Sequence, residues 1–426
     1  MNSTIILKGN ILYTPNPSAL VSIQQGYVIA VDGVVVHCGE SIPTVYTEYD
    51  VVDYGDNLII PGFVDTHAHA PQYCNRGLGM DKELLPWLET YTFPEEAKFI
   101  DPDYARLVYG AFVHDLWRNG TTRSILFGTI HKYSTLVLME LLQKAGLSAY
   151  VGKVNMDRNS PEFLIEETNQ SLADTKVWLD TSAQFGPLVK PIITPRFVPS
   201  CTSELMTGLA KLAKEYDVPV QSHLSENHGE IDWVASLHPE SSNYTDVYYE
   251  HHLMGTVPTV MAHCIHLSDV EMDRMAETQT MVSHCPYSNV NLSSGIAPIR
   301  KLIERNIPIG LGSDISGGHI VSMAKVLTEA IGLSKMKWAE VDPNYAPLTL
   351  SEAFYMATKG GGQFFGHVGS FEKGYELDAL IIDDTSLFDP NERSLEERLE
   401  RWLYVGDDRH IIERYVAGRV VPSPKG

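Results

Sequence analysis

Eight short apolar segments recur between about residues 60 and 366, most of them separated by amphipathic stretches. They are "NLIIPGFVD", "TTRSILFG", "SAYVGKVN", "KPIITPRF", "VPVQSH", "TVMAHC", "TMVSHC" and "IPIGLGSD". Few folds accommodate that order. Parallel strands need a crossover between them, and eight strands with interleaved helices predict a (β/α)8 barrel rather than a doubly wound sheet. The stretch "TSELMTGLAKLAKEYD" shows the helical half of the alternation. Leu205, Leu209, Leu212 and Tyr216 recur every three or four residues there, behind a Ser or Thr that can cap the helix.

The two ends of the chain read as hairpins instead. Residues 5–60 alternate apolar runs with turn residues, and Asp32-Gly33 between "YVIAV" and "VVVH" is the clearest turn. "DALIID" and "IIERYVAGRVVP" repeat the pattern near the C-terminus, with Ala417-Gly418 as the turn. The expectation is a small β-sandwich formed by the N- and C-terminal segments, residues 1–60 and 367–426, with the barrel at 61–366 inserted between them. The stretch from Ala70 to Asp101 is too long for a plain connection, so it is expected to act as a lid or a subunit contact.

Barrel active sites lie at the C-terminal strand ends. Those ends carry His67 and His69 on the first strand, His223 on the fifth, His263 on the sixth, His284 on the seventh and Asp314 on the eighth. With 16 histidines in 426 residues, a His-x-His arises by chance about once in every two such chains. A lone strand-end histidine is ordinarily a hydrogen-bonded core residue. Histidines and a carboxylate recurring where a barrel converges its side chains are a specific signal for a metal. His67, His69, His223 and Asp314 supply three imidazoles and a carboxylate, and a water would complete the shell. Zinc suits that set, as do iron and manganese. No lysine ends the fourth strand, where "TPRF" stands, which favours one metal over two.

Other residues suit the organic half of a site. Glu226, three residues after His223, is placed to be a general acid/base. Arg196 offers a planar donor fork for a heterocycle edge with two acceptors, unless it serves as an ion-pair partner within the barrel. Gln72 offers a donor and an acceptor, and Phe197 a ring for stacking or for the core. No G-x-S-x-G elbow, P-loop or H-x-E…P-C-x-x-C pattern competes with this reading. The formal net charge of −22 speaks against nucleic acid or an anionic membrane as partner. Five cysteines without a C-x-x-C pair, and a start lacking signal-peptide character, lead us to expect a reducing cytoplasm.

Taken together, "PGFVDTHAHA", "SHLSE", "AHCIH", "SHCPYSN" and "GLGSDISGG" resemble the amidohydrolase superfamily over nearly the whole chain. "LLPWLETYTFPEEAKF", "GKVNMDRN" and "TPRFVPSC" narrow the resemblance to the branch that deaminates guanine. The resemblance implies a distorted (β/α)8 TIM barrel with a composite β-sandwich, one zinc per subunit (Zn2+, with Fe2+ as the substitute), and a cytoplasmic homodimer. It implies His67, His69, His223 and Asp314 as ligands, Gln72, Arg196, Phe197 and Glu226 as contacts to the base, and His263 as the group that orients water. Pro71 stands where some members have serine, so no hydroxyl contact is expected there. The implied reaction is attack of the activated water on C2 of guanine, with Glu226 protonating the adjacent nitrogen, Asp314 and His263 handling the water's proton, and ammonia and xanthine leaving. Two other readings keep the barrel. One changes the ring to 8-oxoguanine, a pterin or a triazine; the other is a binding scaffold without turnover, for which a ligand or the acid should be missing, and none is.

Overall fold

The computed structural model describes residues 3–424. The eight expected parallel strands are all present, labelled here β1 (Phe63–His69), β2 (Thr121–Phe127), β3 (Ser148–Gly152), β4 (Val189–Pro191), β5 (Val220–Leu224), β6 (Thr259–His263), β7 (Met281–His284) and β8 (Ile309–Leu311). β1 to β4 pair in sequence order, as do β5 to β8, every pair parallel. An isolated bridge from Ile193 to Val220 joins β4 to β5. β8 and β1 meet just past their ends, where Asp314 N–H donates to His67 O at 2.8 Å and His69 N–H to Ile315 O at 2.8 Å. Pro191 and Pro195 lack the amide hydrogen a strand needs, and β4 breaks between them, resuming as the short pair Thr194–Pro195 against Val154–Asn155.

Helices fill the crossovers, from Pro102–Arg118 between β1 and β2 to Met323–Glu340 after β8. The one read in detail from the sequence spans Ser203–Tyr216, with the Thr202 side chain accepting from Leu205 N–H at 3.2 Å. It buries Leu205, Leu209 and Leu212 against the core, and Asp217 ends it in the left-handed conformation at φ 50°.

The two ends of the chain do pack together, as one seven-stranded sheet. Thr4–Asn16, Ala19–Val31, Val34–Gly39 and Val51–Pro61 come from one end, and Ala379–Ile382, Ile411–Val416 and Arg419–Val420 from the other. Alternation gives the sheet two apolar faces. Leu58, Ile60, Leu380 and Ile382 join the main core, whereas Ile59, Ala379, Ile381 and Phe371 form a separate small one. Both turns expected from the sequence are present, and they touch. A Cβ on Gly33 would lie 2.5 Å from Ala417 O, and one on Gly418 would lie 2.5 Å from Gly33 Cα. Each glycine therefore serves twice, once for its positive φ and once for the close approach.

One expectation is corrected. "NLIIPGFVD" reads as a single strand, but the chain changes sheet at Gly62: Leu58–Pro61 belongs to the terminal sheet and β1 begins at Phe63. A Cβ at Gly62 would sit 2.3 Å from Thr122 Oγ1, so only glycine allows this corner. Beside it, Arg123 on β2 forks onto Asp378 through Nε (2.7 Å) and Nη2 (2.9 Å), and Nη2 also reaches Glu376 at 2.8 Å. Arg123 and Asp378 are both buried. Arg123→Ala would leave Asp378 buried and unpaired, and we expect about 3–5 kcal/mol lost in urea unfolding, the usual cost of breaking a buried pair.

Among the described residues no helix is long and apolar enough to cross a membrane. All five cysteines are unpaired.

Candidate active site

β1 is buried on both faces, so its alternation directs His67 and His69 to the same side. β5 brings His223 to them. The ring of His69 lies 5.0 Å from that of His67 and 5.1 Å from that of His223, and the Nε2 atoms of His69 and His223 approach to 3.0 Å. Asp314, three residues beyond β8, points Oδ1 at both β1 histidines, 3.3 Å from His67 Nε2 and 3.7 Å from His69 Nε2. Its φ is +46°, and that of His263 is +71°. Such conformations cost roughly 1–3 kcal/mol each in non-glycine residues. Here the Asp314 N–H bond to His67 O holds the turn that aims the carboxylate inward.

These donors fit a cation. His67 Nε2 is buried with no hydrogen-bond partner, an arrangement that is costly for an imidazole unless an ion takes the lone pair. His67, His69 and Asp314 present ligand atoms within 4.8 Å of one another, as do His67, His223 and His263. His223 donates its Nδ1–H to Arg196 O at 2.6 Å, which leaves Nε2 as the acceptor facing the cluster. Burial, with neighbouring imidazoles adding to it, pushes His69 and His223 well below the ordinary histidine range, so both are neutral and ligand-ready. Burial alone would raise Asp314. The nearby imidazole of His67, 3.3 Å away, with those of His263 and His69, outweighs it and holds the carboxyl well below the usual carboxylate range. Behind the cluster, buried Asp65 accepts from His67 N–H (3.2 Å), Ser313 N–H (2.9 Å) and Ser313 Oγ–H (2.5 Å), clamping β1 to the turn before Asp314.

A small cavity opens onto the cluster. His69, His223, His263 and Asp314 lie on its lining, together with Glu226, Arg196, Phe197 and Gln72. Every sequence-predicted site residue is thus at this cavity except His67, which belongs to the ligand cluster. His284 is also buried but belongs to none of the ligand groups, and burial lowers it to about 3. Phe197 lines the cavity with Trp233 edge-on, ring centroids 6.3 Å apart. The segment after β1 forms a nearly continuous helical run over Leu84–Ile100, and its Leu84, Trp87 and Leu88 cover the cavity.

Glu226 faces the cluster from the side. Its Oε2 is 3.4 Å from His263 Nε2, whose distance to Asp314 Oδ2 is 3.8 Å, and Ser294 Oγ–H donates to its Oε1 at 3.3 Å. Burial, then the charges of Asp314 and Glu230, raises Glu226 well above the ordinary glutamate range. A carboxyl so placed retains its proton to higher pH, as a general acid requires. His263 Nδ1 lies 3.2 Å from Asn289 Oδ1; because an amide oxygen only accepts, Nδ1 carries the hydrogen there.

Three contributors were not apparent in the sequence. Asn289 sits in "SHCPYSN", and only the fold shows that it meets His263. Glu230 takes the Glu226 N–H at 2.9 Å and the Tyr244 hydroxyl at 2.7 Å, fixing the loop that carries the acid. Glu96, in "TFPEEAKF", joins Gln72 and Arg196.

The chain is similar to known proteins over nearly its whole length. The profile of the amidohydrolase family matches residues 58–421. A guanine deaminase of Dictyostelium discoideum is 46% identical over 379 residues, 87% of this chain and 84% of that protein. The guanine deaminase of Escherichia coli K12 is 37% identical over 416 residues, 95% and 92% of the two chains. A crystal structure of guanine deaminase from C. acetobutylicum, with guanine bound in the active site, superposes at a TM-score of 0.97, with 50% identity over 99% of this chain and 100% of that one. Domain match and relatives coincide: this chain belongs to the amidohydrolase family, among its guanine deaminases.

Proposed function

We propose that this chain hydrolyses guanine to xanthine and ammonia with one zinc ion held by His67, His69, His223 and Asp314. The observation that carries the reading is a single covered cavity in which the ligand cluster, a buried acid and the Arg196–Gln72 pair all face one another. Guanine in the active site of the C. acetobutylicum relative supports the choice of base. When bound, the zinc supplies Lewis acidity that activates a water as nucleophile near neutral pH. The chain's own residues do the rest. His263, held by Asn289, turns Nε2 towards Asp314 and Glu226 and orients the water as it gives up its proton. Glu226 gives its proton to the ring nitrogen next to C2. The first proton lost by the water, taken up through His263 and Asp314, passes by way of Glu226 to the departing amine. The second, released as the C2 hydroxyl becomes a carbonyl, restores the acid.

Arg196 reads the O6/N7 edge, the pairing arginine makes with guanine in DNA. Adenine would present an amino donor to a cation that cannot accept. We expect Arg196→Ala to cost several kcal/mol in kcat/KM for guanine, on the scale of about 1.5–3 for each charged hydrogen bond lost, with metal content nearly unchanged. Equal loss of metal and turnover would remove that role. Gln72 offers its remaining donor and acceptor to the base, and Phe197 covers its face.

The same proposal includes a distorted (β/α)8 barrel closed between β8 and β1, the division at 1–60, 61–366 and 367–426, and a cytoplasmic homodimer. The reaction is tested by ammonia release from purines, pterins and triazines with metal-quantified protein. Fastest release from guanine is the expected result. A faster triazine or pterin would move the substrate and leave the metal reading intact.

A further inference from the structure

Two side chains offered to the base do not stand alone. Glu96 lies between them with each carboxylate oxygen on a different partner: Oε2 is 2.6 Å from Arg196 Nη1, and Oε1 accepts from Gln72 Nε2 at 2.9 Å. All three are almost wholly buried, Glu96 at 1%, Gln72 at 2% and Arg196 at 3% exposure. The partners lie 24 and 100 residues away along the chain. Glu96 ends the short helix Phe93–Glu96 of the covering segment, and Phe93 braces the same guanidinium with its ring centroid 5.3 Å from Cζ.

The chemistry of these contacts leaves little freedom. A carboxylate only accepts, so the Gln72 amide must turn its NH2 to Glu96. Its oxygen then meets Ser316 N–H at 3.2 Å, which only donates. Both ends of the amide are therefore assigned, and the pocket sees one orientation of it. The guanidinium is likewise anchored through one nitrogen, with its remaining donors held in plane. The carboxylate also cancels the arginine's charge. An uncompensated guanidinium in a buried pocket would favour an anion as its partner.

We propose that Glu96 is a positioning residue that sets the specificity of this site for a neutral purine base over an anionic one. This inference rests on guanine being the substrate. Xanthine, the product, has ring N–H groups flanked by carbonyls and is the stronger acid, so its anion is the ligand an unneutralised Arg196 would hold. Glu96 thereby aligns the readers for the substrate and weakens the grip on the product.

The test measures guanine kcat and KM, and inhibition by xanthine above the pH of its ring ionisation, in wild type, Glu96→Gln and Glu96→Asp at measured metal content. For Glu96→Gln the guanine KM should rise on the order of tenfold to a hundredfold, with kcat changed less, as charged hydrogen bonds are lost. Xanthine should inhibit more tightly in the same variant, by on the order of tenfold for one uncovered charge. Glu96→Asp keeps the charge but not the reach, so its guanine KM should rise while xanthine inhibition stays at the wild-type level. Glu96→Asp carries the test by itself if Glu96→Gln does not fold. Weakening of both ligands together in a metal-loaded variant, or an unchanged guanine KM, overturns the proposal. Failure of the metal-loaded wild type to turn over guanine would instead overturn the reading beneath it, and that comparison is made in the same assay.

Discussion

Replacing Glu226 by glutamine is expected to leave the metal bound and to lower guanine turnover by about 10²–10⁴-fold, the range that loss of a positioned acid/base produces. The substitution keeps the shape of the side chain and removes only its capacity to transfer a proton. Its surroundings explain why the proton matters. Burial first, then Asp314 and Glu230, raises this carboxyl well above its usual range, so the acid form persists as pH rises past the point where an exposed glutamate would lose it. Linkage has the same sign. A carboxyl with a raised folded-state pKa favours the folded state at low pH, and that contribution is lost as pH climbs through the ordinary glutamate range towards the raised value. Glu226→Gln should therefore fold at least as well as wild type at neutral pH while turning over far less. Ammonia release and metal content measured on the same preparation decide it. Retained turnover would take the acid role from Glu226, and a parallel loss of metal would reassign it to holding the cluster.

Removal of His67 should act through the metal instead. His67→Ala is expected to lower bound metal to a small fraction of the wild-type level and turnover by on the order of 10³, since several kcal/mol of Lewis-acid stabilisation leave with the ion. His67 is a sharp choice because its Nε2 is buried in the cluster with no hydrogen-bond partner and its ring meets His69, His223 and His263 within 5.7 Å. Metal analysis after dialysis checks the outcome. Full metal retention with full activity would show that this nitrogen is not a ligand. The two variants separate the two halves of the site: one loses the proton transfer and keeps the ion, and the other loses the ion.

The Arg196–Glu96 contact joins two roles that the sequence leaves as alternatives. The sequence offers Arg196 either as a base reader or as the ion-pair partner of a carboxylate within the barrel. The structure places it at the cavity and pairs it with Glu96 as well. A guanidinium has five donors, so one nitrogen can be held while others remain for a ligand. The carboxylate comes from the covering segment, so that segment contributes to the site's polar chemistry as well as closing over it.

Much of this was legible in the residues. Short apolar runs marked the eight parallel strands, most of which are buried on both faces, and a helical apolar period marked the Ser203–Tyr216 helix, because burial imposes its pattern on the chain locally. Histidines and an aspartate at the strand ends pointed to the ligand cluster, because parallel strands with helical crossovers deliver all those ends to one side. The amphipathic and turn signals reach only a few residues, so they could not show the change of sheet at Gly62, which depends on Thr122 lying opposite it. Nor could they show that Asn289 meets His263, that Glu230 holds the Glu226 loop, or that Glu96 bridges Gln72 and Arg196. Those partners carry no local signature: a buried polar side chain is satisfied by whatever the fold brings within about 3 Å of it. The sequence by itself determined the order of elements and the kinds of atoms offered to a metal and a base. The tertiary structure decided which of those atoms face one another, because that depends on contacts between segments tens to hundreds of residues apart.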